Sequence, residues 1–373
     1  MIPLDEYIRN KEIIICAGPG GAGKTTVSAA LALAGAIFGR NTLALTIDPA
    51  KRLATSLGIS PDTKEEIQIP ERRFKEVGLS PKGTLGAAIP DVKKTFDELI
   101  KRVAPSDASA RKILSNKYYQ GIADSLAGTQ EYMAMEKLFS MYEKGKYDLI
   151  VLDTPPSRHA LDFLDAPKRL INLLEAGPLK WVLKPYFLVE KLSFGFSRLW
   201  TDVVIRVLEK IVGVEVIHDV WEFFKDFEAV NEPFKKRVKE TYELLRSPQT
   251  VFLIVTSPVE FAIYESVNLY KRLSKEEFPL GGIVVNRAFL EYDFPPSIDE
   301  GIKRHLSEHV DLAGKIIKNY ENYRALAASD TSSIEKMRKK LRKNTPLTVI
   351  PFFDTEIYDM EGLAKVVRHI FQF

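Results

Sequence analysis

Apolar positions along this chain fall into short unbroken runs, separated by longer stretches with helical spacing. Ile13-Ile14-Ile15-Cys16, Leu149-Ile150-Val151-Leu152, Val251 through Val255 and Ile283-Val284-Val285 are each too short for a buried helix. Runs of this length, bounded by polar or turn residues, read as strands covered on both faces. The pattern predicts strands at 12–17, 42–47, 84–89, 147–152, 250–255, 282–286 and 347–350, and a helix rich in Ala and Leu at 27–37. Such alternation marks an α/β fold: a mainly parallel sheet with helices on both faces. Asp48, Asp153, Ser257, Asn286 and Pro351 fall at or just past strand C-terminal ends. Open α/β sheets place their ligands along that edge.

Two stretches break the alternation. Residues 91–142 are long for one crossover, and 170–245 hold all three tryptophans, Trp181, Trp200 and Trp221, with no good strand. Val220, Phe223, Phe224 and Phe227 share a helical face. Both stretches read as helical insertions into one domain spanning 1–373, together forming an inserted helical subdomain that serves as a lid or client platform. Residues 307–344 read as a helical hairpin ending in Lys336, Arg338, Lys339, Lys340, Arg342 and Lys343. A solvated helix face accounts for that charge, and an anionic membrane or partner surface is the other reading.

The chemistry is concentrated in one loop. Directly after the first predicted strand, Gly18 to Thr25 read Gly-Pro-Gly-Gly-Ala-Gly-Lys-Thr, matching G-x-x-x-x-G-K-[ST] between strand and helix. In a P-loop NTPase the backbone of Gly20, Gly21, Ala22 and Gly23 cradles phosphates, helped by the positive end of the helix. Lys24 reaches the β- and γ-phosphates, Thr25 ligates Mg²⁺, and Thr26 follows on the same helical turn. Asp153 then ends a later strand, where a second carboxylate stands near the metal. The expected ligands are therefore ATP and Mg²⁺. Gly18, Gly20 and Gly23 also fit G-x-G-x-x-G, with Asp48 as the distal acid of a dinucleotide site. Hydride transfer has no use for Lys-Thr after the last glycine, which argues against that alternative.

Composition narrows the rest. A net charge of +3 over 373 residues gives no global field for nucleic acid. No apolar run reaches the ~18 residues of a membrane span, and the N-terminus lacks a signal-peptide pattern. The expected location is cytoplasmic, with peripheral membrane association as a variant. The lone Cys16 allows no internal disulfide and no multi-cysteine metalloid site within one chain.

Three more segments carry a resemblance. They are Thr46-Ile-Asp48-Pro49-Ala50-Lys51-Arg52, Asp153-Thr-Pro-Pro-Ser-Arg-His159-Ala-Leu161, and Pro351-Phe-Phe-Asp354 through Leu363. In this order, with Ser125 through Glu136, the chain resembles the ArsA family of dimeric ATPases. That family includes the arsenite-pump ATPase and the targeting ATPase for tail-anchored membrane proteins. The resemblance implies that Asp48 orients the attacking water and that Asp153 holds Mg²⁺ through water. It implies that His159 is the second switch's histidine, that Asn286 reads the adenine edge, and that Pro351 and Phe352 pack over the base. It also implies a homodimer, or a heterodimer with a paralogous ATPase, coupled to a hydrophobic client or membrane protein. One departure stands out: the family's first loop lysine, which touches the partner's nucleotide, is Pro19 here. Lys51, Arg52 or Arg158 are candidate substitutes. Without one, the chain becomes a nucleotide-binding regulatory subunit with little hydrolysis.

Overall fold

The computed structural model describes residues 4–46, 52–59, 66–89, 91–116, 119, 129–154, 162–174, 214–292 and 298–372. Asp48, Lys51, Arg158, His159, Trp181 and Trp200 lie outside the described residues.

Among the described residues, eight strands form one sheet in the order β3-β4-β2-β5-β1-β6-β7-β8. They are β1 (Ile13–Ala17), β2 (Asn41–Thr46), β3 (Ile67–Gln68), β4 (Thr84–Ala88), β5 (Leu149–Asp153), β6 (Thr250–Thr256), β7 (Leu280–Ala288) and β8 (Leu347–Pro351). Every pairing is parallel except β3 with β4. Each strand expected from an apolar run is present. β3 is the addition: two residues on the sheet edge are too few to show a period. The centre is dry, with Ile13, Ile14, Ile15, Val151, Leu152 and Leu253 at 0% exposure. Continuous apolar runs are what a parallel sheet covered on both faces demands.

The helix Lys24–Ile37 packs on this sheet through small residues. A Cβ on Gly35 would sit 2.5 Å from Thr42 Oγ1 and 3.0 Å from Leu149 Cδ2. Close packing therefore explains a glycine that costs the helix about 1 kcal/mol of propensity.

Residues 307–344 do not form the expected hairpin. Val310–Arg338 is one continuous helix of 29 residues, preceded by the separate helix Ile298–His305. It contains no proline, and its sole glycine, Gly314, lies near its start, so nothing in its interior breaks it. Thr331, Ser332 and Ser333 continue the helix. No helix among the described residues is long and apolar enough to cross a membrane.

The chain divides into two compact units. One comprises Met1–Ile89, Ser140–Asp162 and Leu244–Phe373 and carries the sheet; the other comprises Pro90–Phe139 and Phe163–Glu243. Among its described residues the second unit is helical, with Val92–Val103 capped by Asp91 and Asp107–Ser115 capped by Ser106. Its core stacks Phe96 on Tyr119 at 5.4 Å and sets Tyr132 against Phe234 at 5.6 Å. Inside it lies a buried ion pair. Arg237 Nε donates to both carboxylate oxygens of Glu136 at 3.1 and 3.0 Å, and Arg237 Nη2 adds a bond of 2.9 Å. The guanidinium also lies 4.1 Å from the centre of the Phe139 ring.

Candidate functional site: a phosphate loop at the sheet edge

β1 ends at Ala17, and the next helix starts at Lys24. Three glycines in between have positive φ: Gly18 at 154°, Gly21 at 76° and Gly23 at 87°. A Cβ on Gly18 would lie 2.0 Å from the Val255 carbonyl oxygen, and one on Gly23 would lie 2.1 Å from Asn286 Nδ2. Backbone conformation and close approach thus both require glycine there. The helix that follows has no side-chain cap and no acidic residue in its first turn. Its first N–H groups are left to an anion, with the helix dipole in support.

Lys24 is 6% exposed and folds back over this loop. Its Nζ donates to the Gly18 carbonyl at 3.0 Å and the Pro19 carbonyl at 3.2 Å. Thr25 Oγ1 donates to Asp153 Oδ2 at 2.8 Å, and Thr46 Oγ1 donates to the same oxygen at 3.0 Å. Sheet register explains this convergence, because Asp153 is the Cα partner of Thr46 on β2 and of Cys16 on β1. Thr154 Oγ1 closes the corner on the Cys16 carbonyl at 2.9 Å. The Cys16 thiol is fully buried, and burial is the main cause that pushes its pKa up to about 12. A bond with Ser28 opposes that rise, Asp153 adds to it, and Lys24 opposes it.

A cleft of ≈ 390 Å³ opens over the loop, lined among others by Gly23, Lys24, Thr25, Thr26, Arg52 and Arg287. Its size is that of a small-molecule site. Thr25, Thr46 and Asp153 present only oxygen, the donor set that suits a hard cation such as Mg²⁺. The residues present therefore fit the metal.

A model of the anion-transporting ATPases matches residues 11–325. The chain belongs to that family. Its relatives include a candidate arsenical pump-driving ATPase 1 from Aquifex aeolicus, 25% identical over 96% of this chain and 78% of that protein. Another is an ATPase ASNA1 homolog of Cryptosporidium parvum, 25% identical over 77% of this chain and 68% of that protein. A third is the ATPase get3 of Schizosaccharomyces japonicus, 23% identical over 91% of this chain and 93% of that protein.

In this member of the ATPase family, the structure gathers Lys24, Thr25 and Asp153 around the glycine loop. Thr26 lines the cleft, Gly20 is exposed, and Ala22 turns its methyl into the core. Asn286 is 5% exposed and donates through Nδ2 to the Ala22 carbonyl at 3.1 Å, so it braces the loop. Pro351 and Phe352 stand apart at the end of β8 and do not line the cleft. Phe352 is 52% exposed and stacks on Phe289 at 4.9 Å and 18°. Asp48 belongs to the undescribed segment 47–51. Sequence reasoning missed the Thr46 hydroxyl and Arg287. For Thr46 the available signal was its place two residues before Asp48, at the last position of a strand.

Proposed function

We propose that this chain binds ATP with Mg²⁺ in the cleft over the glycine loop and hydrolyses the γ-phosphate. The observation that carries this reading is the convergence of Thr25 and Thr46 on one oxygen of Asp153 beneath that loop. Loop N–H groups and the helix N-terminus hold the phosphates. Lys24 exchanges the Gly18 and Pro19 carbonyls for phosphate oxygens. Thr25 and Asp153 hold Mg²⁺, which when bound supplies charge neutralisation to the phosphate chain. Asp48 orients the attacking water. The base extends past the lined cleft, with Asn286 toward the adenine edge and Pro351 with Phe352 packing over it.

Family membership and the relatives' names support a nucleotide-driven switch. In this proposal two subunits, identical or paralogous, close on ATP in the cytoplasm or at a membrane surface. The helical unit serves as lid and receives a hydrophobic client or membrane partner. Export of a metalloid is not carried over from the Aquifex relative's name, because soft-metal chemistry needs several thiolates. This chain has one cysteine, and it is buried.

One observation favours a second reading. Pro19 gives the loop neither a charge nor an N–H, and its carbonyl is occupied by Lys24. A cation supplied in trans accelerates this chemistry by ~10³–10⁵. A chain without it is a nucleotide-binding regulatory subunit that pairs with a lysine-bearing paralogue.

Calorimetric titration of ATP with and without Mg²⁺, followed by single-turnover hydrolysis, tests both readings. The expected result is Mg²⁺-dependent ATP binding that Lys24→Ala removes. Binding that ignores Lys24→Ala overturns the site. Tight binding with no turnover selects the regulatory reading.

A further inference from the structure

We propose that Arg287 binds the phosphate chain of the nucleotide, an assignment that rests on the nucleotide reading of the cleft. The local backbone is unusual. β7 and β8 pair Val285 with Val349 and next pair Ala288 with Pro351. β7 therefore carries one residue more than β8 over the same span, which is a β-bulge. Inside it Arg287 has φ 61°, one of three positive-φ residues other than glycine among those described. Left-handed backbone at an arginine is strained, and such strain persists where the surroundings impose it, often beside ligand sites.

The bulge has a clear consequence. Asn286 turns inward and locks onto the Ala22 carbonyl, while Arg287 turns outward to line the cleft beside Gly21, Gly23, Lys24, Thr25 and Thr26. Arg287 is exposed, and among the described residues no carboxylate forms an ion pair with it. Its neighbours in the cleft include the phosphate loop, with Arg52, Thr55, Ser56, Thr154, Ile357 and Tyr358 completing the lining. The aromatic ring at Phe352, the base-side candidate, does not line that space. A guanidinium offers paired N–H donors that match two phosphate oxygens, which a point charge cannot do.

Arg287→Gly is the informative variant, because it removes the guanidinium and relieves the left-handed backbone together. ADP and adenosine are titrated into the wild type, Arg287→Gly, Arg287→Asn, Arg287→Lys and Lys24→Ala, with adenosine read by competition. Arg287→Gly is expected to keep or raise the melting temperature and to weaken ADP about tenfold, the scale of one charge-assisted bond. Adenosine affinity stays unchanged, and Arg287→Lys recovers part of the loss. Arg287→Asn, whose side chain tolerates left-handed φ, repeats the test should the glycine variant unfold. Unchanged ADP affinity in the folded variants overturns the proposal. So does an equal loss of ADP and adenosine, which places the guanidinium on the base. Failure of wild-type protein to bind ADP overturns the cleft reading as well. Loss in Lys24→Ala with none in Arg287→Gly overturns Arg287 alone.

Discussion

Two buried carboxylates in this protein are held by different chemistry. Asp153, in the sheet unit, accepts hydrogen bonds from the hydroxyls of Thr25 and Thr46. Glu136, in the helical unit, accepts three contacts from the Arg237 guanidinium, which rests on the Phe139 ring. Neither hydroxyl brings a charge, and each can swing away by rotation about one bond. The guanidinium brings a full charge and is fixed between carboxylate and ring. A carboxylate served by rotatable neutral donors is ready to take a cation. One clamped by arginine is committed to fixing the helices Thr129–Glu143 and Val214–Arg246 in one register. The first arrangement belongs to ligand chemistry and the second to structural specificity.

The sharpest way to break this contrast is to remove Arg237. Arg237→Met takes the guanidinium away from buried Glu136, and such losses cost about 3–5 kcal/mol. The double variant with Glu136→Met is expected to regain most of that, because two methionines bury without desolvating a charge. Urea unfolding followed by circular dichroism reads both. A single variant no worse than the double means that Glu136 was never charged, and the contrast fails.

This pair was illegible in the sequence, since its members lie 101 residues apart and no periodicity links them. The sheet was readable because buried parallel strands must be uninterrupted apolar runs, as at Ile13–Ala17 and Thr250–Thr256. The glycine loop, Thr25 and Asp153 were readable because one local motif and one strand end specify them. The contribution of Thr46 depends on register between β2 and β5, and that of Arg287 on a bulge between β7 and β8. Beyond the place of Thr46 at a strand end, neither relation shows locally. The helix at Val310–Arg338 misled for the opposite reason. It holds no proline, and its one glycine, Gly314, lies near its start, so nothing in its interior stops it.

At the sheet edge, Lys24→Ala has the next largest effect. Charge-assisted hydrogen bonds contribute about 1.5–3 kcal/mol each, so the loss of contacts to two phosphates weakens ATP by about a hundred-fold or more. Fluorescent-nucleotide titration measures it. A loss equal to that of a remote surface lysine, for instance Lys82→Ala, would remove Lys24 from the phosphates. Thr46→Val is milder. It deletes one neutral bond to Asp153, with a net value of about 1 kcal/mol, so Mg²⁺-dependent affinity falls about fivefold while metal-free binding holds. An equal fall in both would make Thr46 a packing residue and would weaken the distinction between the two carboxylates.

The last effect is absent at neutral pH, and it locates where the site ends and the core begins. Cys16 is the β1 partner of Asp153, yet its thiol is pushed from 9.0 up to about 12, chiefly by burial. Raising the folded pKa of an acid favours its protonated form in the native state. Below pH 9 both folded and unfolded chains carry the proton, so the thiol adds no pH dependence. Above that, the unfolded chain releases its proton first, and stability falls by up to about 1.4 kcal/mol per pH unit until the folded thiol titrates. Cys16→Ala lacks this term. The difference in unfolding midpoint between wild type and Cys16→Ala is therefore expected to be flat from pH 6 to 8.5 and to shrink or reverse between pH 9 and 11. The same thiol in folded protein stays unreactive to aromatic disulfides at pH 8, since its thiolate is scarce and covered. Rapid labelling at pH 8, with no pH-dependent divergence, would put Cys16 in contact with water. The exchangeable polar layer around Asp153 would then reach sideways across the sheet, from β2 and β5 to β1.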